Sequence, residues 1–340
     1  MNDAIYYKGS CSLLYRADCS LPLPIKPQSV DALVTDPPAG IKFMGKLWDA
    51  DRGGRDGWVK HITRCFEHAF VALKPGAYGL VWALPRRSHW TAWALELAGF
   101  SVLDIVHHIY AEGWPKNHDI SVAIDKTLGA TRPVVGVKNN TYDGATRDPS
   151  KHSNPAADSS FGEWGLHKTP HGLPLTAPAT DEAKKWAGWG TALKPAAEHW
   201  ILVRRPPSEK TLAKNVMKHG VGGINIEAGK LDSGRWPTNL VHDGNVLADK
   251  SHFFYAAKPG KKERNLGCTL PNTHASVKSC ALMDYLVTLI TPPGGIVLDI
   301  FAGSGTTGVA AARKKFQFIG IENDEVSLRT ARERLAHEQT

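Results

Sequence analysis

Short apolar runs alternate with helix-spaced apolar positions at both ends of the chain. An apolar run at residues 296–300 precedes a glycine-rich stretch, helix-forming residues 309–313 and a second apolar run at 316–321 that ends in Glu322. Further strand-like runs lie at residues 5–7, 30–34, 78–83, 101–110 and 199–203, and apolar residues recur at helical spacing within 62–73, 91–97 and 282–289. Alternating units of this kind predict an α/β fold in which helices cover a parallel sheet.

The glycine-rich stretch between the last two strands predicts a ligand site. Its pattern is Gly303-x-Gly305-x-x-Gly308, between a strand and a helix start. Glycine lets the backbone approach a ligand closely, a helix N-terminus offers free N–H groups, and Glu322 is placed to accept hydrogen bonds from ribose hydroxyls. Three interpretations stay open: a nucleoside cofactor such as S-adenosylmethionine, a dinucleotide, and a purely structural turn. Too few residues follow the loop to complete a dinucleotide domain, which favours the first.

Composition narrows the class of protein. The chain has 340 residues, 42% of them hydrophobic and 22% charged, as in ordinary soluble globular proteins. A net charge of +8 and a pI near 9.1 favour an acidic partner such as nucleic acid over a basic surface without one. Five scattered cysteines indicate reduced thiols and no zinc cluster. Because we find neither a membrane-spanning apolar run nor a leader, we expect a cytoplasmic protein that needs no membrane and no metal.

A second candidate site lies at the end of the strand predicted at residues 30–34. The strand stops at Thr35, and Asp36-Pro37-Pro38 follows, where two prolines cannot continue a ladder. Asp36 therefore lies at the carboxyl edge of a strand, which is where open α/β sheets bind ligands. The alternative is an Asp-Pro-Pro turn with a solvated carboxylate.

The motifs at these two sites together resemble those of the amino-group DNA methyltransferases. Asp36-Pro37-Pro38-Ala39 matches a catalytic motif of Asp or Ser, two prolines and an aromatic residue, and Phe301-Ala-Gly-Ser-Gly matches the cofactor motif Phe-x-Gly-x-Gly. The catalytic motif comes first, as in the circularly permuted β class. The resemblance implies a Rossmann-like, S-adenosylmethionine-dependent methyltransferase fold, with a mixed, mostly parallel sheet, helices on both faces and an inserted DNA-recognition region.

This resemblance divides the chain into three parts. Residues 1–112 are expected to form the catalytic half of the methyltransferase domain, and residues 273–340 the cofactor-binding half. Residues 113–272 are expected to form the target-recognition insert, with a returning sheet strand near 199–205. The first part of this insert is rich in Gly, Pro, Asn and Ser, which predicts loops and short helices. It also carries Trp164, Trp186 and Trp189, and these large apolar side chains favour a packed segment rather than a disordered one.

The resemblance also assigns roles to single residues. The amine of adenine or cytosine is a poor nucleophile because its lone pair is delocalised into the ring. Asp36 would accept one N–H of that amine and the Pro37 carbonyl the other, so that the nitrogen becomes tetrahedral and can attack a sulfonium methyl group. The implied catalytic residues are Asp36, Pro37, Pro38 and Ala39. The implied cofactor-binding residues are Asp18, Cys19, Asp36, Lys278, Asp299, Phe301, Ala302, Gly303, Ser304, Gly305, Thr306, Thr307, Glu322 and Asn323.

Two stretches depart from the family pattern. Ala39 occupies the position of the aromatic residue that stacks on the extruded base, a contact worth roughly 1–3 kcal/mol. Phe43 or Trp48 is a candidate substitute platform, although aromatic residues in such a stretch more often pack in a core. Residues 273–278 resemble the motif that precedes the cofactor loop, but Ala275 and Ser279 replace its two prolines.

Basic residues recur between the returning strand and the cofactor half. Arg204, Arg205, Lys258, Lys261 and Lys262 are the candidates for contacts with DNA phosphates, and an ordinary solvated face is the alternative for any one of them.

We therefore expect a site-specific methyltransferase that uses S-adenosylmethionine to methylate double-stranded DNA. Asp at position 36 favours adenine N6 over cytosine N4, as a tendency of the family. The alternatives are a cytosine-N4 enzyme, a catalytically weakened DNA-binding protein that keeps the fold, and, outside this class, an RNA or small-molecule methyltransferase or an NAD enzyme. A homodimer is expected because dimers are common in the β class.

Overall fold

The computed structural model describes residues 5–110, 117–138, 173–193, 195–230, 234–244, 254–274 and 276–339. The chain forms two compact units, one from residues 1–111 and 196–340 and the other from residues 112–195. The predicted insert at 113–272 extends beyond the second unit, because residues from 196 onward return to the first. The DNA-recognition role of that insert stays a prediction, and Trp164 lies outside the described residues.

Strands and helices alternate along the first unit, as the apolar pattern predicts. The elements of both units are given together here, and those between residues 112 and 195 belong to the second unit. In chain order the strands are β1 (Ile5–Lys8), β2 (Ser12–Arg16), β3 (Val30–Thr35), β4 (Leu73–Ala83), β5 (Ser101–Ile109), β6 (Val134–Lys138), β7 (Leu173–Thr176), β8 (Ala197–Arg204), β9 (Leu240–His242), β10 (Phe254–Tyr255), β11 (Ile296–Asp299) and β12 (Gln317–Glu322). The α-helices are α1 (Arg55–Ala72), α2 (Ser88–Leu97), α3 (Ile120–Thr127), α4 (Asp181–Lys185), α5 (Leu212–His219), α6 (Lys261–Arg264), α7 (Cys280–Ile290), α8 (Thr306–Arg313) and α9 (Glu325–Glu338).

One large sheet organises the first unit. Among the described residues its strand order is β1-β2-β12-β11-β3-β4-β8-β5-β9-β10. Neighbouring strands are parallel except where β1 meets β2 and where β8 meets β4 and β5. The carboxyl ends of β2, β12, β11, β3, β4, β5, β9 and β10 therefore lie at one edge. This is the predicted Rossmann-like arrangement, a mixed and mostly parallel sheet.

Helices cover both faces of this sheet. Successive residues of β3 face opposite sides, so Ala32 and Val34 join a core with α7, α8 and α9, while Leu33 joins a core with α1 and α2. Helix α1 buries Ile62, Phe66 and other apolar residues at helical spacing. Helix α8 begins earlier than the predicted residue 309, because Gly305 (φ 77°) adopts the left-handed backbone directly before Thr306.

The second unit contains a hairpin and two short helices among its described residues. Strands β6 and β7 pair antiparallel. The buried Asp125 carboxylate accepts hydrogen bonds from Arg132 (2.6 Å) and from the backbone N–H of Ala179 (2.9 Å). Burial alone would raise the pKa of Asp125, but these donors outweigh it and lower that pKa to about 2. The carboxylate thus ties α3 to the segment before α4.

The described part of the chain has neither a helix suited to a bilayer nor a cluster of metal-binding side chains. None of its helices combines the length and the apolar character needed to cross a bilayer. In the same residues, no group of three or more His, Cys, Asp or Glu side chains is arranged to hold a metal ion.

Candidate active site

The predicted site residues meet at the carboxyl edge of four adjacent strands, β2, β12, β11 and β3. Asp18 follows β2, Glu322 ends β12, Asp299 ends β11 and Asp36 follows β3. The first two strand ends are linked by the backbone, since the N–H of Ala17 donates to the Glu322 carbonyl (3.1 Å). Parallel pairing therefore brings together residues from opposite ends of the chain.

Asp36 forms an ion pair with Lys278. The Nζ atom of Lys278 lies 2.5 Å from Oδ2 of Asp36, and both side chains are largely buried. Burial raises the pKa of the Asp36 carboxyl, and the Lys278 ammonium opposes this effect. Among the described residues, Oδ1 of Asp36 has no hydrogen-bond donor, so this oxygen is the one available to a substrate amine.

Lys278 also interacts with a second carboxylate, Glu198 on β8. Burial lowers the pKa of Lys278, but the charges of Asp36 and Glu198 outweigh it and leave that pKa above its ordinary value. Burial also disfavours the charged form of Glu198 and so raises its pKa, but Lys278 and His108 outweigh this effect and lower that pKa to about 2. The ammonium lies 4.5 Å from the ring centroid of Trp82, whose aromatic face adds a further attraction. One lysine thus forms an ion pair with Asp36, is attracted electrostatically by Glu198 and faces an aromatic ring.

The turn that carries Asp36 is fixed from two sides. Arg87, which follows β4, donates to the Gly40 carbonyl at 2.5 Å. The Asp49 carboxylate, 1% exposed, accepts the N–H groups of Gly40 and Phe43, each at 2.8 Å. Pro37 is buried, and Pro38 and Ala39 are half-buried. The catalytic turn is therefore held in one conformation by side chains outside its motif.

Asp299 connects the glycine loop to the strand that precedes Asp36. Its carboxylate accepts the hydroxyls of Thr35 and Thr307, each at 2.6 Å, and the N–H of Phe301 at 3.0 Å. Burial raises the pKa of Asp299 to about 6. Its role in the described structure is to hold the two motifs together, whereas the sequence predicts a contact with the cofactor, which stays a prediction.

The glycines of the loop are needed for packing, in addition to allowing a ligand to come close to the backbone. A Cβ atom on Gly308 would lie 2.6 Å from the Phe318 ring, and one on Gly305 would lie 2.9 Å from the Ala331 side chain. A Cβ atom on Gly303, whose φ is 51°, would meet the His274 ring at 2.9 Å. Burial lowers the pKa of that histidine to about 4, so it packs as a neutral ring. The glycine spacing that predicted a ligand loop is thus also required by α9, β12 and the residues before α7.

A buried cation, Arg334 of α9, supports the same loop. Its guanidinium is 2% exposed and donates to the Ser304 carbonyl (2.8 Å), the Ser304 hydroxyl (3.2 Å) and the Thr306 hydroxyl (2.9 Å). Among the described residues no carboxylate lies within ion-pair distance of it. Ala302 through Thr307 are buried and Phe301 is half-buried, so the loop's conformation is set largely by its packing.

The residues around Glu322 fit a nucleoside cofactor. The Glu322 carboxylate accepts the N–H groups of Gly303, Asn323 and Asp324, each at 2.8 Å. A carboxylate offers about four acceptor positions, so one remains for a ribose hydroxyl. Burial raises the pKa of Glu322. Asp18 is exposed beside the buried Cys19, and the carboxylates at this edge suit the sulfonium and ammonium groups of S-adenosylmethionine.

The residues predicted to contact DNA fall at two different edges. Lys258, Lys261 and Lys262 are exposed and follow β10 at the edge of Asp36, with the Lys258 ammonium 3.7 Å from the Tyr110 ring centroid. Arg204 and Arg205 end β8, which runs antiparallel, and therefore lie at the opposite edge. Arg205 donates to the Phe70 carbonyl at 2.8 Å and has a structural role there. These two arginines therefore lie at a different sheet edge from the three lysines, and their contact with DNA stays a prediction.

Sequence reasoning did not single out several residues of this site. Glu198, Trp82, Asp49, Arg87 and Arg334 have no motif, and their roles depend on contacts between distant elements. Glu198 directly precedes the predicted returning strand and belongs to the observed one, so a charged residue at the border of an apolar run was the available signal. Ala275, part of the motif before α7, lies outside the described residues.

A sequence profile of the family described as DNA methylase matches residues 30–333. The chain belongs to the N6/N4 DNA methylase family. The match spans both motifs and everything between them, which confirms the resemblance predicted from the sequence. S-adenosylmethionine is the cofactor of this family, as predicted.

Individual relatives match parts of the chain. The type II methyltransferase M.HindIII of Haemophilus influenzae is 32% identical over 157 residues, which are 46% of this chain and 45% of that protein. The type II methyltransferase M2.DpnII of Streptococcus pneumoniae is 42% identical over 65 residues, 19% of this chain and 24% of that protein. The chain thus matches less than half of the length of these curated relatives.

A solved structure extends the similarity to the whole fold. The PvuII DNA methyltransferase, described as cytosine-N4-specific, superimposes with a TM-score of 0.55 at 14% identity, covering 98% of this chain and 89% of that one. At this identity the similarity concerns the fold alone.

Proposed function

We propose that this protein transfers a methyl group from S-adenosylmethionine to the exocyclic amine of a base in double-stranded DNA. The observation that supports it most is the position of Asp36, which follows β3 at the same edge as Glu322 and the glycine loop of β11. A substrate amine that reaches Asp36 would therefore lie beside the residues that fit the cofactor.

The chain's own residues account for the activation of the amine. Oδ1 of Asp36 accepts one N–H of the amine, and the carbonyl of Pro37 accepts the other, which favours a tetrahedral nitrogen with a free lone pair. The bound cofactor supplies an electrophilic methyl group on a positively charged sulfur. As the nitrogen bonds to the methyl carbon, the bond between that carbon and sulfur would break and the sulfur would leave as a neutral thioether. The nitrogen, now positively charged, would then lose a proton to solvent. Asp36 stabilises that positive charge, so positioning and electrostatics supply the rate enhancement.

We further propose adenine N6 as the target, from Asp rather than Ser at position 36, with cytosine N4 as the alternative. A homodimer and a cytoplasmic location stay predictions. A second candidate function is DNA binding with weakened catalysis. It is favoured by Ala39, whose methyl group offers no stacking surface at the position of the family's aromatic residue.

A methyl-transfer assay tests this proposal. Radiolabelled S-adenosylmethionine is incubated with the protein and with unmethylated plasmid DNA, RNA or no polymer, and the product is digested to identify the methylated nucleoside. We expect N6-methyladenine in DNA only, and a loss of about a hundredfold or more for Asp36→Ala, since a group that stabilises transition-state charge is removed. Asp56→Ala, a change of an exposed carboxylate in the first turn of α1, is the matched control.

The other outcomes separate the alternatives. N4-methylcytosine would correct the target base only. DNA binding without methyl transfer would favour the weakened protein, and transfer to RNA, or full activity of Asp36→Ala, would overturn the proposal.

A further inference from the structure

Large apolar side chains are exposed in the loop that follows the catalytic turn. A tight turn at Phe43–Gly45 and a single-turn helix at Leu47–Asp49 form this loop. Leu47 is 78% exposed, Trp48 48%, and Phe43 and Met44 each 41%. We call these four side chains the apolar tip. Contiguous exposed apolar groups of this size mark a surface that contacts another molecule.

The loop beneath the apolar tip is closed by hydrogen bonds at both ends. The Asp49 carboxylate accepts N–H groups from both ends of the turn, and the N–H of Lys42 donates to the Asp49 carbonyl at 2.6 Å. Lys42 and Met44 have φ angles of 53° and 51°, a left-handed backbone that is unfavourable for residues other than glycine. Such conformations persist where surrounding contacts enforce them, and they concentrate at functional sites. These contacts hold the backbone of the loop, and the apolar tip extends from it into solvent.

The charges around the apolar tip identify its partner. Lys42, Lys46 and Arg52 are exposed in the same loop. Of its carboxylates, Asp49 is buried and accepts backbone N–H groups, and Asp51 is half-buried, so exposed cations predominate. Apolar side chains surrounded by cations match a duplex, which presents phosphates outside and the faces of bases inside. The loop is also continuous with Asp36 through the Gly40 backbone, to which both Asp49 and Arg87 bind. A surface at this position reaches DNA whenever a base reaches Asp36.

Extrusion of a base leaves a gap in the stack of the duplex. An apolar side chain that enters the stack offsets the lost stacking, as apolar wedges do in proteins that kink DNA. We propose that the apolar tip enters the base stack at the position vacated by the target base, with Leu47, its most exposed member, as the inserted side chain. This inference rests on the proposed methylation of DNA, and it differs from the platform predicted for Phe43 or Trp48, which would stack on the extruded base itself.

Leu47→Ala tests the insertion. The assay uses two oligonucleotide duplexes that contain the recognition sequence found by sequencing the plasmid DNA methylated above. In one duplex the target base is paired, and in the other it faces an abasic position, where extrusion is easier. We expect kcat/KM of Leu47→Ala to fall about tenfold on the paired duplex and to return to within about threefold of the wild-type value on the other. Met217→Ala, a change of an 86% exposed apolar residue on α5 at the opposite sheet edge, should leave both values unchanged.

Each other outcome decides against the inference. An equal loss on both duplexes would indicate that Leu47 supports binding or chemistry and not extrusion, and no loss on either would remove it from the DNA interface. A change in oligomeric state on sedimentation, with DNA methylation intact, would place the apolar tip between copies of this chain. Absence of methyl transfer by the wild-type protein would instead refute the proposed function.

Discussion

At the scale of single residues, the central feature is a cation shared by two carboxylates. Lys278 pairs with Asp36 at 2.5 Å and interacts electrostatically with Glu198. The three groups together carry a net charge of about −1, whereas Asp36 and Lys278 alone would be neutral. Because methyl transfer to an amine creates positive charge on nitrogen, a site of net negative charge stabilises the transition state better than a neutral one.

This charge balance predicts the behaviour of Glu198→Gln. We expect kcat to fall roughly tenfold, because Lys278 then neutralises Asp36, while the KM values for DNA and cofactor change little. Removing the lysine charge as well, in Glu198→Gln with Lys278→Met, restores the net charge and should recover part of kcat.

The measurement is steady-state methylation by both single variants and the double variant, with Glu209→Gln, whose carboxylate pairs with Lys218 on the surface, as the control. A double variant slower than both single variants would show that Glu198 contributes to packing and not to charge.

At the scale of elements, the last helix supports the glycine loop. Arg334 reaches from α9 to Ser304 and Thr306, and one guanidinium nitrogen, Nη1, is the donor in all three contacts. Helix α9 is also joined to α8 by the ion pair of Arg313 with Glu338. The Arg334 contacts involve the glycine loop, whereas the ion pair of Arg313 with Glu338 joins α8 to α9 away from that loop.

We therefore predict that Arg334→Met weakens cofactor binding about tenfold, since loss of the Nη1 donor leaves the buried oxygens of Ser304 and Thr306 without this partner. Titration calorimetry with S-adenosylhomocysteine measures this without any turnover. Arg313→Met controls for a general loosening of α8 and α9 and should retain affinity. Equal affinities for wild type and Arg334→Met would limit that residue to stability.

At the scale of the whole molecule, the sheet separates two groups of basic residues. Lys258, Lys261 and Lys262 follow β10 at the edge of Asp36. The basic residues of α5, such as Lys214, lie at the other edge, where Asn215 donates to the Pro75 carbonyl. The net charge of +8 does not show which group faces the Asp36 edge, whereas the direction of the strands does.

Salt dependence of DNA binding tests this separation. Counterion release makes log affinity fall with log salt by roughly 0.9 per neutralised phosphate. We expect replacement of Lys258, Lys261 and Lys262 by Gln to reduce this slope by up to about 3, measured by fluorescence anisotropy between low and moderate salt. Lys214→Gln on α5 should leave the slope unchanged, and a slope altered only by Lys214→Gln would reverse the assignment of edges.

The sequence by itself determined the alternation of strands and helices, because periodic apolar residues have one stable way to be buried, and it located the two motifs because Asp-Pro-Pro and closely spaced glycines impose particular backbone turns. The tertiary structure decided what surrounds them. The charge of Glu198 acts on Lys278, Arg334 donates to Ser304, and Arg205 lies at the sheet edge opposite Asp36. Each depends on the strand order and direction that bring residues distant in sequence together. No local pattern encodes such contacts, since each depends on the pairing of whole elements.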